Sequence, residues 1–521
     1  MISLFFNNYN CLKCKELAVC FINRINRSGF KGYVIFIIAY ILLFTSTSCT
    51  DQDTGKPNIV FILADDVGVG DIKCYYEPTK VKTPNIDKLA AQGMRFTQAY
   101  APGSVCSPTR YALISGQYPC RGPLRNNNVS ISDSLVFDKS MLTWPEFLQQ
   151  QGYRTAHIGK WHLGYGDTGI TNWAEEIKPG PLETGFDYHF GLVCNQSDNF
   201  KTYVENHKVL WLKEGVTNIP GRPDKSDLTQ IRYEDEVDAT LTKKAIKFIE
   251  QNKNEPFCVY LALVATHTHI TPNKKFRKTS EIGQLGDYIH ELDHHVGEIM
   301  TTLRELGLAE NTILVFASDN GGQKNDYRTA GQNLDLKSKA DSVAEKAKTA
   351  KTDARVKYGH RTNGDFRGYK GGNYEGGFRV PFIIRWPGKV PKGAVSDQVI
   401  SLVDMLATSA GLLGEELPES AGRDSYDHSP VILGKDVAEP IRTETILQTG
   451  NNRLAFRKND WKIVFREKTT WTKNKAILPE TGIELYHLGN DPAEKHDLSK
   501  RHPKRVIKMR KRLLEKINTE K

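Results

Sequence analysis

PNIVFILADD, residues 57–66, decides the fold. Six consecutive apolar side chains, Ile59 to Ala64, show no alternation with polar ones, so the strand they form is covered on both faces. Asp65 and Asp66 end it. The design recurs in NTILVFASDNGG at 311–322, which ends in Asp319, Asn320 and two glycines. A third such run, EPFCVYLALVATHTH at 255–269, ends in histidines. Between the runs lie TPNIDKLAAQGMRF, LTWPEFLQQQGY and VDATLTKKAIKFIEQ, each with apolar residues at helical spacing. Buried strands alternating with helices predict an α/β fold, with a large, mostly parallel central sheet flanked by helices. In such sheets functional groups gather beyond the carboxyl ends of the strands. Asp65, Asp66, His267, Asp319 and Asn320 all fall at that edge.

The chain has 521 residues, 39% of them hydrophobic and 25% charged, as in ordinary globular proteins, and its length predicts one large and one smaller domain. Part of the formal charge of +10 precedes residue 48. There Lys13, Lys15, Arg24, Arg27 and Lys31, opposed by Glu16, come before the apolar GYVIFIIAYILLF and then small residues, which is the layout of an export signal. The apolar run is short for a spanning helix, and an uncleaved anchor is the alternative. In STSCTDQD, Cys49 follows small residues and precedes an acidic segment, resembling a bacterial lipoprotein site with Ser46 where Leu is usual. An ordinary signal peptide cut nearby is the other reading, and both export the protein.

The expected organisation is a lipoprotein-type signal at 1–48, a linker at 49–56, a large α/β domain at 57–442 that carries those strand-end groups, and a smaller C-terminal α+β subdomain at 443–521. The expected location is the periplasm or cell surface of a bacterium, with a membrane anchor through lipid on Cys49. The polar, Lys- and Ala-rich stretch 323–358 reads as an insertion. Cys74, Cys106, Cys120, Cys194 and Cys258 show neither metal-ligand spacing nor a dense disulfide framework. The basic KRHPKRVIKMRKRLLEK at 500–516 reads as the solvated face of a terminal helix, not a nucleic-acid site.

Two strand-end pairs, Asp65–Asp66 and Asp319–Asn320, offer oxygen ligands only, which suits Ca²⁺ or Mg²⁺. Capping of turns or helices is their alternative use. Cations accompany them: Lys160 and His162 in HIGKWHLG, Lys370 in RGYKGGNYEGGFRVP, and Arg110 four residues after Cys106 in GSVCSPTRYALISG. A hard metal with several Lys, Arg and His side chains describes a pocket for a compact oxyanion.

CSPTR at 106–110 with ALISG at 112–116 resembles the type I sulfatase signature, whose core is C-x-P-x-R. ADDVGVGD, IGKWHLG, SDNGG and GYKGGNYEGGFRVP resemble that family's other blocks in the same order, and ELYHLGNDPAEKHDL resembles its C-terminal sheet. The resemblance implies an alkaline-phosphatase-like sandwich with an antiparallel sheet in the smaller subdomain. It implies a sulfuric ester hydrolase whose Cys106 is converted to Cα-formylglycine by a formylglycine-generating or sulfatase-maturating enzyme. Asp65, Asp66, Asp319, Asn320 and an oxygen of modified Cys106 then match the Ca²⁺ ligands. Arg110, Lys160 and His162 match groups holding the formylglycine hydrate, with Asp319 and His162 assisting proton removal. His267 and Lys370 match groups on the sulfate and its bridging oxygen, His267 as a cationic general acid. ATHTHITP carries a histidine where the family has the proline of His-Thr-Pro, so His269 competes with His267. The implied substrate is a sulfated polysaccharide or glycosaminoglycan. GFDYHFGLVCNQSDNF and VENHKVLWL are similar to galactose- or N-acetylgalactosamine-6-sulfatases. The alternatives are a phosphatase or phosphonate monoester hydrolase of the same superfamily, and a non-catalytic sugar-binding protein if Cys106 stays unmodified.

Overall fold

PNIVFILADD forms β1, Asn58–Ala64, near the middle of a ten-stranded sheet. The fold comes from a computed structural model that describes residues 55–125, 128–167, 171–221, 223–324, 358–472 and 475–518. The expected signal, Cys49 and nearly all of the 323–358 insertion lie outside those residues. Among the described residues no helix is long and apolar enough to cross a membrane, and the five cysteines are free.

The other strands of the sheet are β2 Met94–Tyr100, β3 Arg154–Lys160, β4 Tyr188–Leu192, β5 Val204–Glu205, β6 Lys208–Val209, β7 Phe257–Ala262, β8 Thr312–Ser318, β9 Phe382–Arg385 and β10 Ala394–Ser401. Their order is β10-β2-β9-β8-β1-β7-β3-β4-β5-β6. Pairing from β8 through β1, β7 and β3 to β4 is parallel throughout. β9 runs antiparallel to both β2 and β8, and the short β5 and β6 form an antiparallel edge.

Successive side chains of β1 point to opposite faces and enter two separate cores. Ile59, Phe61 and Leu63 pack with Trp144, Phe147 and Leu148 of α3 (Trp144–Gln150), with Tyr111 and Leu113 of α2 (Cys106–Ser115), and with Met405 and Leu406 of α6 (Met405–Leu413). Val60, Ile62 and Ala64 pack with α1 (Pro84–Gln92), α4 (Val237–Gln251) and α5 (Gln284–Glu305). Burying each larger apolar side chain contributes about 1.5–3 kcal/mol. The result is a helix–sheet–helix sandwich, as the continuous apolar runs predict.

A second, antiparallel sheet contains β11 Glu444–Gln448, β12 Leu454–Lys458, β13 Trp461–Phe465 and, after the hairpin of β14 Thr470–Thr472 and β15 Lys475–Ile477, β16 Ile483–His487. The terminal helix α7, Pro503–Asn518, packs on it through Met509 and Leu513. The same core takes in Ala112 of α2 and Tyr118, so this sheet braces the helix that begins at Cys106. Lys462 of β13 sits 2.9 Å from both Glu375 and Glu494, all three buried, and so ties the glycine-rich block around Lys370 to the second sheet. Lys56–Lys521 clusters as one compact unit.

Candidate active site

The register of β1 on β8 sets Ala64 opposite Ser318, so Asp65 and Asp319 leave the sheet side by side. Asp66 turns back at φ +64°, in the left-handed region that a non-glycine residue enters only where its surroundings hold it there. Its backbone N–H donates to Asp319 Oδ1 at 3.2 Å, and its Oδ1 accepts from Asn320 Nδ2 at 2.8 Å. Lys370 reaches the same carboxylate at 2.6 Å. Gly321 lets the glycine-rich block close over this edge, since a Cβ there would lie 2.0 Å from the Gly376 carbonyl oxygen.

Helix α2 contributes from the other side. Its spacing of four puts Cys106 and Arg110 on one face. Cys106 Sγ lies 3.5 Å from Asp65 Oδ1 and 3.5 Å from Lys370 Nζ. Arg110 donates Nε and Nη2 to Asp319 Oδ2 at 3.1 and 2.8 Å, and Nη1 to the Lys160 carbonyl at 2.8 Å. At the end of β3, Lys160 Nζ sits 2.6 Å from Asp65 Oδ2. The chain then follows the end of β4, through Trp161 N–H to Leu192 O and His162 N–H to Val193 O, and His162 takes φ +59°. The His162 ring is buried with Nδ1 unpartnered among the described residues.

Ligand atoms of Asp65, Asp66, Cys106 and Asp319 lie within 4.8 Å of one another, as do those of Asp65, Cys106 and His267. His267 is therefore the histidine at the centre. His269 turns away, its Nδ1 2.8 Å from Glu234 Oε2, a buried carboxylate that also binds Lys201 at 2.7 Å. The ten residues singled out from the sequence thus meet around one point.

Three carboxylates stand against Arg110, Lys160 and Lys370. Burial opposes ionisation of Asp65, but Lys160, then His267 and Arg110, hold its carboxyl far below the usual range. Asp66 is the reverse: burial, with repulsion from Asp65 and Asp319, pushes it up to about 6 despite Lys370. Asn320 Oδ1 is buried and has no hydrogen-bond donor among the described residues. An unsatisfied oxygen beside three carboxylates, one of them resisting ionisation, fits a hard divalent cation. Such an ion would turn a charge-balanced cluster into one that attracts an anion.

Burial, then the charges of Asp319 and Asp65, push the Cys106 thiol up to about 12. The neutral thiol is therefore favoured, and Cys106 is poorly suited to attack as it stands. Burial, with Lys160 and Arg110, lowers His162 well below the ordinary histidine value. Burial, with Lys370 and Lys160, does the same to His267. Burial first, and the two lysines after it, therefore disfavour the charged form of His267 in the free site.

Some participants were not singled out from the sequence. Gln323, the first residue of the polar stretch, hydrogen-bonds through Nε2 to Asp66 Oδ2 and through Oε1 to Thr268. Gln196 Nε2 donates to the His267 carbonyl at 2.6 Å. Behind Lys160, His157 and His189 share a 2.9 Å Nδ1–Nδ1 contact, and Tyr165 Oη lies 2.8 Å from His189 Nε2. His157 lies in HIGKWHLG, and His189 and Gln196 lie in GFDYHFGLVCNQSDNF, but spacing within those blocks does not mark them as site residues.

A mostly parallel sheet with helices on both faces, and a cluster of carboxylates and cations at its carboxyl edge, is the architecture of the alkaline-phosphatase-like fold. Residues 57–415 match the family described as Sulfatase. An N-acetylgalactosamine-6-O-sulfatase of Bacteroides thetaiotaomicron is 34% identical, the match covering 90% of this chain and 94% of that protein. The human N-acetylgalactosamine-6-sulfatase is 30% identical over 85% of this chain and 81% of its own. A solved structure from work on glycosaminoglycan metabolism by Bacteroides thetaiotaomicron superposes with TM-score 0.75 at 33% identity, covering 88% of this chain and 98% of that one. The chain belongs to the sulfatase family and is a sulfuric ester hydrolase.

Proposed function

We propose that this protein removes 6-O-sulfate from N-acetylgalactosamine or galactose units of a sulfated glycosaminoglycan, using Cα-formylglycine made from Cys106. The observation that carries the modification is the thiol itself: buried beside two carboxylates, it is held protonated at the centre of an anion pocket. The relatives' names support the sugar and the ring position. Export as a lipoprotein through Cys49, to the periplasm or cell surface, and maturation by a formylglycine-generating or sulfatase-maturating enzyme belong to the same reading.

Asp65, Asp66, Asp319 and Asn320, with an oxygen of residue 106, would hold Ca²⁺, which supplies positive charge to the sulfate oxygens. Hydrated formylglycine supplies one hydroxyl to attack sulfur and a second through which sulfate is expelled. The chain's own groups do the rest. Arg110, locked on Asp319 and the Lys160 carbonyl, fixes the face that residue 106 presents. Asp319 takes the proton of the attacking hydroxyl. Lys370, 3.5 Å from Sγ of Cys106, carries charge on a sulfate oxygen. His267, neutral at rest, gains its proton as the anionic ester binds beside it and gives it to the leaving sugar oxygen. Neutral His162 accepts a proton as sulfate departs.

Mass spectrometry of the peptide spanning Cys106, from protein made with a maturating enzyme, should show an aldehyde in place of the thiol. The same preparation should desulfate 6-sulfated galactosamine oligosaccharides, and Cys106→Ala should be inert yet folded. Full turnover by Cys106→Ala, or faster cleavage of matched phosphate esters, would overturn the proposal.

A further inference from the structure

The catalytic pocket leaves the basic terminal helix unexplained. Helix α7 buries Met509, Leu513 and Ile517 and turns its cations outward. Two sets of cations stand out, on α7 and just before it, while Arg510 and Lys511 lie 3.8 and 4.0 Å from Glu480 and Glu515. Arg512 and Lys516 join Lys458 around Glu444, at 2.8, 3.5 and 2.7 Å, and it offsets part of their charge. Arg501, Lys504, Arg505 and Lys508 are exposed, and among the described residues none of them forms an ion pair or donates a side-chain hydrogen bond.

These four line a groove of about 830 Å³ between α7 and the turn that joins β12 to β13. Of the residues lining it, seven are Lys or Arg and one, Glu515, is acidic. Helix stability does not account for this. Lys504 and Lys508 repel at a spacing of four, and the first turn of α7 holds no acidic residue to meet the positive end of the helix dipole. Both features instead add to the attraction for an anion. The Arg505 guanidinium lies 4.1 Å over the Trp461 ring, whose other neighbours include His502 at 5.2 Å. A stacked guanidinium is preorganised and loses less freedom when it binds an oxyanion.

We propose that this groove holds a stretch of the polysulfated chain whose ester the catalytic pocket hydrolyses. The inference rests on the glycosaminoglycan reading of that pocket. Lys504, Lys508 and Lys511 fall on successive turns of one helix face and span about 10 Å at the helical rise, so they meet a chain carrying repeated charges rather than a single anion. The core beneath α7 also takes in Ala112 of the Cys106 helix, so groove and pocket share a rigid frame. The attraction is multivalent and salt-sensitive, and it raises the local concentration of polymer without touching the reacting ester.

The test compares the full chain with K504E/R505E/K508E, and with K504Q/R505Q/K508Q should charge reversal disturb folding. Hydrolysis of an aryl sulfate and of a sulfated disaccharide should be unchanged in either variant. KM for polymeric chondroitin 6-sulfate should rise about tenfold at low ionic strength, and the difference should vanish near 0.5–1 M salt, where screening is nearly complete. Polymer KM within about twofold of the native value would refute the groove. In a binding arm, the inert Cys106→Ala chain is titrated with chondroitin 6-sulfate, its desulfated form, duplex DNA and anionic phospholipid vesicles. Preference for the sulfated polymer, lost in the triple variant, supports the proposal; equal or tighter binding of DNA or vesicles overturns it. Groove-dependent polymer binding without turnover of any sulfated sugar would refute the glycosaminoglycan reading and leave the groove standing.

Discussion

Replacing Lys160 with methionine removes one charge from the buried site while keeping most of the side chain's volume. The amine sits 2.6 Å from Asp65, and both side chains are fully buried. Removing one partner strands the other, and breaking a buried ion pair in this way costs about 3–5 kcal/mol. Arg110 is 3.4 Å from the same carboxylate but is committed to Asp319 at 2.8 Å, so it recovers only part of the loss. Lys160 is also the largest influence favouring the charged form of Asp65, whose carboxyl must therefore rise toward its ordinary range. In chelator, Lys160→Met should lower the melting midpoint by several degrees. Adding Asp65→Asn removes the stranded charge, and the double variant should fall short of the summed losses by about 2 kcal/mol. Aryl sulfate hydrolysis should drop about 10²–10³-fold, the range for deleting one preorganised donor. A midpoint within about 1 °C of the native one, with additive behaviour in the double variant, would refute the idea that Lys160 balances Asp65.

Chelation should abolish hydrolysis and lower the melting midpoint, with Ca²⁺ restoring both; Asp319→Asn should shift the Ca²⁺ needed for half-restoration upward by at least about tenfold. An unchanged midpoint in chelator would remove the cation from the cluster. A general acid works protonated, and burial with Lys370 and Lys160 lowers His267 in the free enzyme, so the His267 limb of kcat/KM should climb as pH falls and should level off only below the ordinary histidine range. His267→Gln should flatten that limb and His269→Gln should keep it; the reverse result would exchange their roles. His157 and His189 are lowered by burial, so neither matters to stability above the unfolded value of 6.5. Below it the unfolded chain takes up protons first, and stability is lost at up to about 1.4 kcal/mol per pH unit for each histidine. His157→Phe should shallow that slope between pH 6.5 and 5 by about one proton, and an unchanged slope would show that His157 does not carry it.

Much of the architecture was readable because burial on both faces leaves a mark on composition. β1, β7 and β8 are apolar without interruption, and their carboxyl ends announce Asp65, Asp66, His267, Asp319 and Asn320. β9 carried no such mark. Phe382–Arg385 is four residues long, and its antiparallel insertion between β2 and β8 depends on the path of the chain, not on its own side chains. The same holds for the two-residue strands β5 and β6.

The sequence by itself determined the chemical inventory: strand-end carboxylates, a helix with Cys106 and Arg110 on one face, and lysines among glycines. These follow from local spacing, which fixes what a short segment presents. Tertiary structure alone decided the partners. Arg110 meets Asp319 across 209 residues. Glu234, 35 residues upstream, draws His269 out of contention, a choice that spacing after β7 leaves open. The register of β3 on β4 sets His157 opposite His189. It also decided protonation, since Cys106 is an ordinary thiol in the sequence and is held neutral only by burial beside Asp65 and Asp319. The physical reason is range: periodicity records which face is buried, whereas charge, desolvation and hydrogen bonding depend on atoms that the chain brings together from far apart.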